Sequence, residues 1–232
     1  MLLFQINNQI KPTTRTIMRK ICFVLALITF TRGVTFAQFE GSKQTYSSPK
    51  LKDEIARHKT VAILPFQTAI TYKRPPKNYD ADANKNEELS IAKSLQQSMY
   101  TYLLRKSDKY SVTFQDVDRT NALLKSKGIF DKLDEITQDS ICKVLGVDAV
   151  VKCSYAYEKT ASEGGAIVKT VLFGSMGGKT GSGALTMQIY NGSDGELLWR
   201  FYKAMDDNVM SSTDQLMERM MRKVSRNFPY EK

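Results

Sequence analysis

The residues that could do chemistry are few and widely spaced. His58 is the only histidine in the chain. A Ser/His/Asp triad or a histidine-rich metal site therefore has one imidazole to draw on, and that one sits in a polar stretch ahead of the apolar run at Val61. Acidic pairs occur at Glu87-Glu88, at Asp131 with Asp134, and at Asp206-Asp207. Two carboxyls can share acid and base work at a glycosidic bond, but each of these pairs also reads as a helix cap or a solvated face, and no catalytic pair stands out. The string Gly174-Ser175-Met176-Gly177-Gly178-Lys179-Thr180 ends like a phosphate-binding loop. That motif needs a glycine where Phe173 stands, and here a strand follows where a helix N-terminus would have to face the phosphate. No catalytic residue, cofactor motif or metal-ligand set emerges, and the expectation is a non-enzymatic protein.

Contact chemistry is better represented. Tyr72, Lys73, Arg74, Lys77 and Tyr79 fall within one proline-bearing polar segment, and this mixture of cations and aromatics is what binding surfaces use. These five are the candidate partner-binding residues, with a plain solvated loop as the competing interpretation. Trp199 shares a strand face with Leu197 and Phe201, which favours core packing over ligand stacking. Met217, Met220 and Met221 fall on one helical stripe and are expected in the same core as Trp199, although methionine-rich surfaces can also bind adaptable partners. Cys142 and Cys153 are expected as separate buried thiols, with one disulfide as the alternative.

The elements that must carry these residues follow from periodicity. Val61 to Leu64 is a short continuous apolar run ended by Pro65, as in a strand covered on both faces. Tyr72 to Asn86 reads as a long exposed loop. Glu87 to Lys106 has helical spacing, with Glu87 and Glu88 in its first turn and Arg105 and Lys106 in its last, matching the helix dipole. Tyr110, Val112 and Phe114 alternate as a strand, and Asp116 caps a short helix that stops near Gly128. A helix from Leu133 to Leu145 ends at Gly146, and Asp148 to Glu158 is a strand with Ala149, Val151, Cys153, Tyr155 and Tyr157 on one face.

Ala166 to Phe173, Ala184 to Tyr190 and Glu196 to Ala204 read as further strands, the last two joined by a tight turn at Asn191–Gly195. Ser212 with Gln215 forms a capping box for a closing helix whose stripe is Leu216, Met217, Met220, Met221, Val224 and Phe228. The order predicts an α/β fold, a single mixed sheet packed by helices.

The 232 residues suit one domain, and the net charge of +10 suggests nucleic acid until its location is considered. Half of that excess comes from Lys11, Arg15, Arg19, Lys20 and Arg32, with no acid before Gln38. Arg19-Lys20, the apolar run Ile21 to Phe30 and Thr35-Phe36-Ala37 form a secretory leader pattern, so residues 1–37 are expected to be a cleaved signal peptide, with translation starting at Met18. Residues 38–59 then form a polar arm or short helix, and 60–232 the domain. No other apolar run approaches the length of a membrane helix.

Four blocks in order, Val61-Ala62-Ile63-Leu64-Pro65-Phe66, Asp118 to Leu124, Leu145 to Val151 and Ile189 to Trp199, resemble the bacterial envelope superfamily that contains the curli secretion channel protein CsgG, the outer-membrane lipoprotein activator of penicillin-binding proteins and the TolB amino-terminal domain. The resemblance spans about Thr60 to Phe228 and implies an α/β sandwich like an anticodon-binding domain. It also implies a periplasmic or outer-membrane-associated location and action by protein contact. The chain departs from the pattern in having no cysteine at the leader cut for a lipid and no clear apolar band for a barrel hairpin. The expected function is that of an exported cell-envelope adaptor or assembly factor that contacts an envelope protein or cell-wall enzyme. The alternative is a secreted hydrolase or ligand-binding protein. Neither nucleic acid nor a membrane span after leader removal is expected, and self-association is left open.

Overall fold

A computed structural model describes residues 43–159, 181–207, 213–224 and 227–232, all within one compact unit, Gly41–Lys232. The expected leader, the strand at Ala166 to Phe173, the Gly174–Thr180 string and the Ser212–Gln215 capping box lie outside the described residues and side chains.

The elements are β1 (Lys43–Ser47), α1 (Leu51–Ile55), β2 (Thr60–Ile63), β3 (Gln67–Tyr72), α2 (Ala81–Leu104), β4 (Thr113–Phe114), α3 (Val117–Ser126), α4 (Gln138–Leu145), β5 (Ala149–Lys159), β6 (Gly181–Asn191), β7 (Leu197–Asp207) and α5 (Thr213–Val224). One mixed seven-stranded sheet runs β1-β7-β6-β5-β2-β4, with β3 beside β5 beyond the end of β2. β2 lies parallel to β4 and β5, whereas β5, β6, β7 and β1 form antiparallel pairs. This is the single mixed sheet with helices that the order of segments implies.

Both faces of β2 are covered, as its unbroken apolar run requires. Val61 and Ile63 join a core with Leu95, Met99 and Tyr102 of α2 and with Met217, Met220 and Met221 of α5. Ala62 and Leu64 join a second core with Leu124 of α3 and Ile141, Cys142 and Leu145 of α4. Ala149, Val151, Cys153 and Tyr155 share the first core with Trp199 and Phe201, and Tyr157 packs against it. Cys142 and Cys153 are therefore separate buried thiols on opposite sides of the sheet. Burial pushes the Cys142 thiol up to about 12 and raises that of Cys153 as well.

Several local expectations change. Lys43–Ser47, inside the segment expected to be a polar arm, is an edge strand paired with β7, and α1 supplies the short helix. Its polar sequence fits a strand whose residues are all exposed. The expected Tyr72 to Asn86 loop is shorter: Gln67–Tyr72 is strand, and α2 begins at Ala81, where the Asp80 carboxylate accepts hydrogen bonds from Asp82 N at 2.9 Å and Ala83 N at 3.1 Å. Glu87 and Glu88 consequently lie inside α2 and act through side-chain contacts instead of the helix dipole. Leu133 to Leu145 is not one helix. A 3-10 turn at Phe130–Lys132 precedes a break, because Thr137 is extended (φ −68°, ψ 147°) and the intervening turn sends Leu133 into the second core. Gly146 ends α4 in the left-handed region (φ 66°), its N–H bonded to Cys142 O at 2.8 Å.

Candidate functional site

Pro65 has no N–H to give the ladder, and the sheet steps around it. Ile63 lies opposite Val151 and Gln67 opposite Ser154, so residues 64–66 face only Lys152 and Cys153 of β5. One extra residue in the chain reverses the alternation of side chains. Leu64 turns into the α4-side core and Phe66 into the α2-side core. α2 follows on one face and α3 on the other, and between them, at the carboxyl end of β2, a cleft of about 700 Å³ opens. Crossovers leaving β2 for β4 and returning to β5 on the opposite face create such a crevice in open α/β sheets.

The cleft is built in three levels. Leu64, Pro65, Phe66 and Leu133 make its apolar base. Above them Gln96 of α2, 1% exposed, and Asn121 of α3 form a reciprocal amide pair. Gln96 Nε2 donates to Asn121 Oδ1 at 3.1 Å, and Asn121 Nδ2 donates to Gln96 Oε1 at 2.9 Å. Gln96 Nε2 also donates to Ile63 O at 2.9 Å, tying both helices to the end of β2. At the rim, Leu89 is 57% exposed, and the Lys125 ammonium stands 4.9 Å from the centre of the Phe130 ring.

Two ion pairs close within the rim. Lys152 Nζ meets Asp134 Oδ1 at 2.6 Å, and Gln67 Nε2 also donates to Asp134. The hydrogen bond from Lys152 outweighs partial burial and holds the Asp134 carboxyl below the ordinary range. Lys85 pairs with Glu88 at 3.4 Å. Glu88 Oε1 also accepts from Ile70 N at 2.9 Å, and Asn84 Nδ2 donates to Ile70 O at 3.3 Å, so the first turns of α2 satisfy the free edge of β3. The cleft offers an apolar base, a neutral amide pair and two ion pairs at its rim, an arrangement suited to binding.

The five residues expected to bind a partner lie at the other end of β3. Tyr72 and Tyr79 pack edge to face with ring centroids 5.5 Å apart, and Tyr79 N donates to Pro76 O at 3.1 Å to close a turn. Lys159 Nζ lies 5.3 Å from the Tyr72 ring centre and pairs with Glu87 at 2.9 Å. Burial pulls on that ammonium, but Glu87 more than offsets it and raises its pKa. Lys73, Arg74 and Lys77 project exposed from this connection. The structure brings these five together on one turn, away from the cleft lining.

Several of the remaining candidates have structural partners. Glu87 and Glu88 are occupied as above, and Asp131 and Asp134 both line the cleft. Trp199 is 1% exposed, stacked 5.9 Å from Phe201, and shares a core with Met220 as expected. His58 is buried and hydrogen-bonded through both ring nitrogens, a position its polar neighbours did not reveal. Among the described residues there is no metal-holding cluster, and no helix is long and apolar enough to cross a membrane. The cleft itself was missed. Its signal was Gln96, a lone amide on the stripe Ala92, Leu95, Met99 and Leu103, since a polar group on a buried stripe must have a partner.

No family model matches the chain, and no curated protein matches it. Among solved structures it is similar to lipoprotein GNA1162 of Neisseria meningitidis, with 11% identity and a TM-score of 0.38 over 72% of this chain and 94% of that one. It is also similar to PelC of Paraburkholderia phytofirmans, a dodecamer, with 14% identity and a TM-score of 0.40 over 83% of this chain and 100% of that one. The LpoB C-terminal domain of Escherichia coli gives 12% identity and a TM-score of 0.32, covering 68% of this chain and 96% of that one. At such identities and TM-scores a likeness does not carry function from one protein to another.

Proposed function

We propose that this chain is an exported, non-enzymatic adaptor or assembly factor of the cell envelope that works by protein contact. The cleft between α2 and α3 is its principal docking surface, and the Tyr72–Tyr79 turn is a second contact. The observation that carries this reading is the cleft itself: an apolar base with Leu89 exposed at its lip, beside the ion pairs Lys85–Glu88 and Lys152–Asp134. Such a site rewards an apolar anchor. Export rests on the leader pattern before Gln38. Lys73, Arg74 and Lys77 beside two tyrosines suit an anionic patch on the partner.

Photo-crosslinking in the native cell tests the reading. A benzophenone side chain at position 89 should give protein adducts, whereas the same group at Leu104, 48% exposed on the far end of α2, should not. Identical adducts at both positions, or none at 89, would remove the cleft as a docking surface. The volume of about 700 Å³ also admits a small-molecule reading, because ligand pockets span roughly 300–1,000 Å³. That reading predicts no adduct at 89 and a ligand-dependent rise in melting temperature.

A further inference from the structure

His58 enters the fold between α1 and β2, and its ring connects three distant parts of the chain. Nδ1 lies 2.8 Å from the Tyr230 hydroxyl, and Nε2 lies 3.1 Å from Asn191 Oδ1. The neighbours decide the tautomer. Asn191 Nδ2 donates to Glu54 Oε2 at 3.2 Å and to Ser193 Oγ at 2.8 Å, which fixes Oδ1 as the atom facing the ring. An amide oxygen only accepts, so Nε2 carries the hydrogen and Nδ1, in the neutral ring, accepts from the Tyr230 hydroxyl.

Tyr230 is fully buried, and among the described residues its hydroxyl bonds to His58. Burial raises its pKa, so it stays a phenol. It anchors a carboxyl-terminal strap: Ser111 N donates to Tyr230 O at 2.9 Å, Lys232 N donates to Lys109 O at 2.9 Å, and Phe228 sets its edge 5.9 Å from Trp199.

We propose that the His58–Tyr230 contact is a pH-sensitive latch that holds the strap Asn227–Lys232 closed while His58 is neutral and releases it when His58 is protonated. A proton on Nδ1 turns it into a donor aimed at the phenol oxygen. The phenol must then accept, and its own hydrogen is left without a partner in a site closed to water, which is costly. Among the described residues, charged and titratable groups near the pair include Asp148 just before β5, Glu54 of α1 acting through Asn191, Arg57 and Lys59 on either side of His58, the Cys142 thiol of α4, and Glu231 next to Tyr230 in the strap. The Asp148 carboxylate is held by Lys59 N at 2.8 Å and Thr60 N at 2.9 Å. Asp148, Glu54, Lys59 and Cys142 all lie outside the strap, so opening carries none of them away from the ring. The difference between the two states is Tyr230: closed, it presents a conflicting hydroxyl, and open, it is replaced by water. Protonation therefore favours the open state, and only a differential interaction of this kind can shift the equilibrium. The strap holds while His58 is neutral and loosens once it is protonated, so it loosens as pH falls. Opening withdraws Phe228 from Trp199 and uncovers the aromatic end of the sheet.

Hydrogen exchange on the full chain tests the latch. The amides of Ser111 and Lys232 should lose at least about tenfold of their protection, relative to core amides of β5 and β6, between about pH 8 and about pH 5. The emission of Trp199, the single tryptophan, should change in step. His58→Gln offers an amide that can donate to Asn191 and accept from Tyr230 without titrating, so it should abolish the pH response. Tyr230→Phe leaves no hydrogen to strand and should flatten the response even if it lowers stability. Equal relative protection at both pH values in the original protein would overturn the proposal, and so would an undiminished response in His58→Gln or Tyr230→Phe.

Discussion

Replacing Gln96 by leucine tests whether the amide pair organises the cleft. Leucine is close in size, so packing changes little while three hydrogen bonds vanish: to Ile63 O at 2.9 Å, to Asn121 Oδ1 at 3.1 Å and from Asn121 Nδ2 at 2.9 Å. Ile63 is buried, and its carbonyl loses this partner at a cost of about 1–3 kcal/mol. Asn121 is half-buried at the cleft and can turn to water, so its loss is smaller, about 0.5–1.5 kcal/mol. The extra apolar burial of leucine offsets about 1 kcal/mol of this. The net destabilisation is about 2 kcal/mol, which for a domain of this size lowers the melting temperature by about 4–8 °C. A double-mutant cycle in urea with Asn121→Ala should show a coupling of about 1 kcal/mol, because each single change already breaks the pair. Equal or higher stability of Gln96→Leu, or additive single changes, would show that the pair does not tie α2 to α3.

Two further outcomes follow from the core and from the turn at the far end of β3. Met220 is 1% exposed, so Met220→Ala should cost about 2–5 kcal/mol by urea denaturation, and Met220→Asp should abolish cooperative unfolding; an unchanged midpoint in the aspartate variant would place the α5 stripe outside the core. Reversing Lys73, Arg74 and Lys77 to glutamate should weaken capture of the partner, by a margin that shrinks as salt rises, while leaving the melting temperature nearly unchanged, and equal capture at low salt would remove the turn from the binding account.

Much of the fold is written locally. The apolar run Val61 to Leu64, the alternation from Ala149 to Tyr157, the Asp116 cap and Gly146 at the end of α4 each depend on neighbours a few residues away, and each appears where its pattern places it. The stripe of α5 meeting Trp199 also follows, since an amphipathic helix needs an apolar sheet to cover it. Charge and polarity misled where a distant partner decided the outcome. Lys43–Ser47 is polar, yet it is a strand because β7 offers it a ladder. Asn84 and Glu88 resemble loop and first-turn residues, yet they cap the edge of β3 from inside a helix.

The cleft and the His58 contact are wholly tertiary. Gln96 and Asn121 are 25 residues apart, and His58 and Tyr230 are 172 apart. Sequence alone determines that an amide lies on a buried stripe, and that one histidine precedes the first core strand. Which donor meets which acceptor is set by the extra residue at Pro65, which turns Leu64 and Phe66 to opposite faces, and by crossovers that bring remote segments to one end of the sheet. A buried polar group has to be satisfied, and only the assembled fold supplies the group that satisfies it.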